Sequence, residues 1–168
     1  VFADAPDLPA AAEAAAAAIA FNQGEVCIAG SRLLIERSIK ERFLPMVVEA
    51  LKAWKPGHAL DPQTRVGALV DTTQLDTVLG YIEAGKADGA TLLTGGERVL
   101  EDTCGVYVQP AIFDGVTNAM RIAREEIFGP VLSVITFDSA EEAVAIANDS
   151  PFGLAAAVWT NDISRAHK

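Results

Sequence analysis

The strongest constraint on the fold is the order in which two hydrophobic periods alternate along the chain. Apolar runs of strand length are followed by stretches with helical spacing. Arg32-Leu33-Leu34-Ile35 is one such run; Ser38-Ile39-Lys40-Glu41 follows with a capping-box pattern, and Phe43, Val47, Leu51 and Trp54 then recur at helical intervals. The run Val131 to Phe137 reads as a buried strand, and Ser139 with Glu142 opens a helix behind it that carries Val144 and Ile146. This strand-then-helix order predicts an α/β domain with a largely parallel sheet flanked by helices.

The remaining stretches fit that scheme. Ala10 to Phe21 is rich in alanine, the best helix former. Pro45 lies inside the pattern that begins at Phe43 and is expected to kink or delay that helix. Asp71 with Gln74 opens a helix carrying Leu75, Val78, Leu79 and Ile82, and Gly89 ends it. Thr91-Leu92-Leu93 reads as a small strand, Gly95-Gly96 as a turn, and Tyr107 to Phe113 as extended chain around Pro110. A break over residues 148–153, with Gly153 in a tight turn, leads to a last expected strand, Ala155 to Trp159. A further helix begins near Asp162. No linker divides the 168 residues, so they read as one domain unit. Val1 is not a methionine and Lys168 falls inside a helix, so both ends read as cut.

Charge and cysteine usage narrow the function. A net charge of −10 argues against nucleic-acid binding, which needs a basic surface. The longest bland run, Ala10 to Ala20, is interrupted by Glu13 and is too short for a bilayer span. Asp4 and Asp7 stand where a signal peptide would be basic. Two cysteines, Cys27 and Cys104, are too few for a disulfide framework, so a reducing, cytoplasmic setting is expected. His58 and His167 have no spaced partner, which predicts no metal site. No glycine-rich dinucleotide fingerprint is present.

Two constellations carry chemistry. In Phe21-Asn22-Gln23-Gly24-Glu25-Val26-Cys27-Ile28-Ala29-Gly30-Ser31-Arg32 a cysteine sits in a glycine-flanked turn between helix and strand. On composition alone such a cysteine is more often core filler than nucleophile. In Arg124-Glu125-Glu126-Ile127-Phe128-Gly129-Pro130-Val131 an acidic pair and an aromatic precede a Gly-Pro stop; on pattern alone this is a helix end with solvated charges. Cys104, in the polar turn Glu101 to Gly105, reads as incidental.

The wording of both stretches resembles the aldehyde dehydrogenase superfamily: Asn-Gln-Gly, two variable residues, Cys, one variable residue, then Ala-Gly-Ser-Arg; and Glu-Glu-Ile-Phe-Gly-Pro. Weaker likeness extends over nearly the whole chain. The resemblance implies that Cys27 is the catalytic nucleophile, forming a thiohemiacetal and then a thioester, with its own backbone N–H in the oxyanion site. It implies that Glu126 binds the nicotinamide-side ribose and that Phe128 packs near the nicotinamide. Glu125 is expected to be structural or exposed. The cofactor implied is NAD, with NADP as the alternative, because the selecting residues lie elsewhere. The substrate implied is a small aldehyde, and the parent protein is expected to be a homo-oligomer. Ile28 and Leu33-Leu34-Ile35-Glu36 resemble the branch acting on aminoaldehydes such as γ-glutamyl-γ-aminobutyraldehyde.

By the same resemblance residues 1–168 are part of a catalytic domain, without the cofactor domain, the general-base glutamate, the oxyanion-site asparagine or the oligomerisation tail. The chain alone is therefore expected to be inactive or nearly so. Glu25 stands where the family often has glutamine. Two other readings remain: a CoA-acylating semialdehyde dehydrogenase sharing Cys27, and a non-catalytic folded fragment or interaction module.

Overall fold

The structure is a computed structural model, described here over residues 1–167. In chain order the helices are α1 (Leu8–Ala20), α2 (Lys40–Lys52), α3 (Thr72–Ala87), α4 (Arg121–Arg124), α5 (Ala140–Asn148) and α6 (Ile163–Ala166). The strands are β1 (Arg32–Glu36), β2 (Thr91–Thr94), β3 (Arg98–Val99), β4 (Tyr107–Val108), β5 (Ala111–Asp114) and β6 (Val131–Phe137). The main sheet has the order β1-β6-β5-β2. β6 runs parallel to both β1 and β5, while β2 adds antiparallel at the edge. The sheet is thus largely parallel, as expected, and β3 and β4 form a small separate ribbon.

The alternation of side chains across a strand decides where the helices go. Leu132 and Val134 of β6, with Ile112 of β5 and Leu33 and Ile35 of β1, pack into one core with α1 and α2. Val131 and Ile135 of β6, with Ala111 and Phe113 of β5, pack into a second core with α3 and α4. Covered on both faces, β6 has no need of polar alternation. Its one buried polar side chain, Ser133, donates to Ile122 O at 3.2 Å.

Helix starts follow the expected chemistry with two exceptions. Asp7 accepts from Ala10 N and Asp71 from Gln74 N, capping α1 and α3. Ser139 caps α5 by accepting from Glu142 N, and the Glu142 carboxylate returns to Asp138 N at 2.6 Å. The box expected at Ser38 does not form. Its hydroxyl donates to Glu36 at 2.7 Å, and the chain makes a 3₁₀ turn, Arg37–Ile39, before α2 begins. Nor does Pro45 delay α2, which begins at Lys40. It lies on the exposed side, where water can satisfy the carbonyl that proline leaves without a donor.

The strand expected over Ala155 to Trp159 is not formed. These residues are irregular and mostly exposed, and no ladder pairs with them; Trp159 O accepts one bond from Phe2 N at 3.0 Å. An apolar run becomes a strand only where a neighbour takes up its backbone groups. Gly153, expected to serve a tight turn, lies instead in irregular, exposed chain.

Candidate active site

The parallel pairing of β1 and β6 explains why two motifs a hundred residues apart meet. Cys27 lies in the loop that leads into β1, and Glu126 and Phe128 lie in the loop that leads into β6. Adjacent parallel strands start at the same end of a sheet, so the two loops are neighbours. Their contact is direct. A Cβ on Gly24 would overlap the carbonyl group of Gly129 and lie 2.8 Å from Pro130 N. Only glycine allows this approach, and Gly24 also has φ +72°.

Both loops hold strained backbone. The described non-glycine residues with positive φ are Asn22, Gln23, Leu100 and Phe128, so three of the four fall in these loops. Such conformations persist only where surrounding bonds over-determine them. Around the cysteine, Asn22 Nδ2 donates to Glu25 O at 3.0 Å, and Gln23 Oε1 accepts from Gly67 N at 3.1 Å. Glu25 accepts from Val70 N at 3.1 Å and from Gln23 Nε2 at 3.4 Å. The residue next-but-one to Cys27 is therefore an anchor of the loop, a role that its sequence position did not reveal. After the cysteine, Gly30 N donates to Ala18 O at 3.0 Å, returning the loop onto α1.

Cys27 itself is exposed, in a turn closed by Ala29 N donating to Val26 O at 3.0 Å. Among the described residues neither its thiol nor its N–H has a hydrogen-bond partner. Cys104 is also exposed and free, in the turn that precedes β4.

The two acidic residues of the second loop differ sharply. Glu125 is fully engaged: Tyr81 donates to it at 2.8 Å and Arg121 at 3.1 Å. The Arg121 bond, with the Tyr81 bond second, holds its carboxyl below the usual range. Glu126 is exposed, and among the described residues it has no hydrogen-bond or ion-pair partner. Phe128 leaves 41% of its surface open at φ +55°. Its turn is held by Gln74 Nε2, which donates to Ile127 O at 2.9 Å and Phe128 O at 2.7 Å. Gln74 was legible only as a helix-start residue; its reach across to this loop is not encoded in local spacing.

Arg32, at the start of β1, donates to Ile146 O at 3.1 Å, Ala147 O at 3.0 Å and Asn118 Oδ1 at 3.2 Å. It thereby caps the last turn of α5, where a cation suits the helix dipole. Burial lowers its pKa, and Asp149 partly offsets this. Asp149 completes the cluster, paired with Arg124 at 3.0 Å.

Among the described residues, no group of three or more His, Cys, Asp or Glu is placed to hold a metal ion. No described helix is long and apolar enough to cross a membrane.

A thiol and a carboxylate that have no partner among the described residues, and an open aromatic ring, thus share one end of the sheet. The profile of the aldehyde dehydrogenase family matches residues 1–168. The NADP/NAD-dependent aldehyde dehydrogenase PuuC of Escherichia coli (strain K12) is 50% identical over all of this chain and 33% of its own length. The aldehyde dehydrogenase KauB of Pseudomonas aeruginosa is 76% identical, with a TM-score of 0.98 over 99% of this chain and 34% of that structure. An indole-3-acetaldehyde dehydrogenase in complex with NAD+ is 73% identical, with the same TM-score and the same coverage of each chain. The chain spans about a third of the length of these relatives. With the whole chain matched by the family profile and superposing this closely on solved dehydrogenases, residues 1–168 belong to the aldehyde dehydrogenase family.

Proposed function

We propose that the protein carrying this chain oxidises an aldehyde to a carboxylic acid with NAD or NADP, and that Cys27 is its nucleophile. Residues 1–168 are then part of its catalytic domain. The observation that carries the reading is the meeting of the Cys27 loop with the Glu126–Phe128 loop at Gly24 and Gly129.

The free groups suit these roles. The Cys27 thiolate attacks the aldehyde carbon, forming a C–S bond and a tetrahedral oxyanion, toward which the free Cys27 N–H is available as donor. NAD, when bound, supplies the hydride acceptor. The acyl group then left on Sγ is a thioester, which water releases as the acid. Glu126, without a partner among the described residues, has both oxygens free to accept bonds from vicinal ribose hydroxyls. The open ring of Phe128 offers a flat face beside the nicotinamide.

Two substrate classes follow from the likenesses: an aminoaldehyde, from the wording around Cys27, and an arylacetaldehyde, from the indole-3-acetaldehyde dehydrogenase. We place the protein in the cytoplasm as a homo-oligomer, on its two free cysteines and its family. The test is NADH formation by the full-length protein with each aldehyde, beside Cys27→Ala and beside residues 1–168 alone. The full-length protein should be active, and both comparators silent. Activity that survives in Cys27→Ala would refute the assignment. An acyl-CoA product in place of free acid would move the protein to the CoA-acylating branch.

A further inference from the structure

We propose that Gln74 is a positioning residue for the cofactor side of this site, acting through the backbone of Phe128; the inference rests on the function proposed above. In extended chain, successive carbonyls point to opposite sides, so one amide cannot bond both. The left-handed turn at Phe128 brings the Ile127 and Phe128 carbonyls to the same side, and the Gln74 amide donates to both, at 2.9 and 2.7 Å. Donor and turn are matched: the bonds help offset a backbone conformation unfavourable for a bulky residue.

Gln74 is itself rigidly placed. Its backbone N–H is held by the Asp71 cap at 2.8 Å, at the start of a sixteen-residue helix. One turn later Val78 walls the same loop, because a Cβ on Gly129 would overlap Val78 Cγ2. Upstream of Asp71, the chain reaches the nucleophile loop through Gly67 N to Gln23 and Val70 N to Glu25. Residues 67–74 are thus a brace with one end on the Cys27 loop and the other on the Phe128 loop. Gln74 sets where Phe128 and Glu126 stand relative to Cys27, without touching substrate.

The test uses the full-length protein with Gln74→Glu, isosteric but without the amide donors, and Gln74→Met, of similar length and without donors. NAD binding is measured by calorimetry, and Cys27 chemistry by hydrolysis of 4-nitrophenyl acetate, which needs no cofactor. Both variants should weaken NAD binding by about 10-fold, the scale of one lost charge-free hydrogen-bond pair, and keep ester hydrolysis within about twofold. A Gln74→Met protein that binds NAD as well as the parent overturns the proposal. So does a parallel loss of binding and ester hydrolysis in both variants, which marks a purely structural residue. Failure of the underlying function reads differently: ester hydrolysis that persists in Cys27→Ala, or a parent that binds no NAD.

Discussion

Replacing Gly24 by alanine tests whether the two loops meet as described. The substitution acts twice. It places a side chain at φ +72°, which costs about 1–2 kcal/mol relative to glycine. It also drives a Cβ into the carbonyl of Gly129, a backbone group without rotamer freedom; overpacking of this kind costs about 1–3 kcal/mol. The sum is about 2–5 kcal/mol. For a domain of this size, each kcal/mol moves the midpoint by about 2–4 °C, so a loss near the middle of that range lowers Tm by roughly 10 °C. The comparison is Gly80→Ala, at an exposed position inside α3 where a Cβ would meet nothing within 4 Å. That change should stabilise by about 0.5–1 kcal/mol, because alanine is the better helix residue. Thermal unfolding of the 168-residue chain, followed by circular dichroism, reads both. A Gly24→Ala chain that melts within about 2 °C of the parent would refute the close contact between the Cys27 and Phe128 loops.

Two further predictions concern the Arg32 cluster at the start of β1, next to the Cys27 loop. Arg32→Ala removes three hydrogen bonds and leaves the Ala147 carbonyl of α5 without its donor, while Ile146 O keeps its bond from Asn118 Nδ2, so it should destabilise the chain by about 1–3 kcal/mol in urea unfolding. Asp149 is held below the usual carboxylate range by its bond from Arg124 first and from Asn118 second. A carboxylate with a depressed folded pKa adds stability above its unfolded value near 4, and that stability is lost as pH falls through the folded value. Asp149→Asn should therefore narrow the stability difference from the parent as the pH drops below about 4, and a difference constant from pH 7 to pH 2 would contradict the linkage.

Much of the fold was legible because its signals are local. The apolar run of β6, the Asp71 and Ser139 caps and the Gly89 stop each depend on neighbours in sequence, and each stands where expected. The failures depend on partners elsewhere. Ser38 has the spacing of a cap, but Glu36 captures its hydroxyl. Ala155 to Trp159 has the composition of a strand, but no ladder beside it. The candidate site divides in the same way. Cys27, Glu126 and Phe128 were singled out by the wording of their motifs, whereas the brace through Gln23, Glu25 and Gln74 joins residues 44 to 54 positions apart and leaves no local trace. The resemblance separated Glu125 from Glu126, but the partners that engage Glu125, Tyr81 and Arg121, left no trace in its motif.

The proposed function stands or falls on acyl transfer at Cys27. The most direct measurement is mass spectrometry of the full-length protein quenched in acid during turnover with NAD and an aldehyde, followed by digestion. An acyl adduct is expected on the peptide containing Cys27 and none on that containing Cys104. NADH formation with no adduct at Cys27, or with the adduct on Cys104, would contradict it.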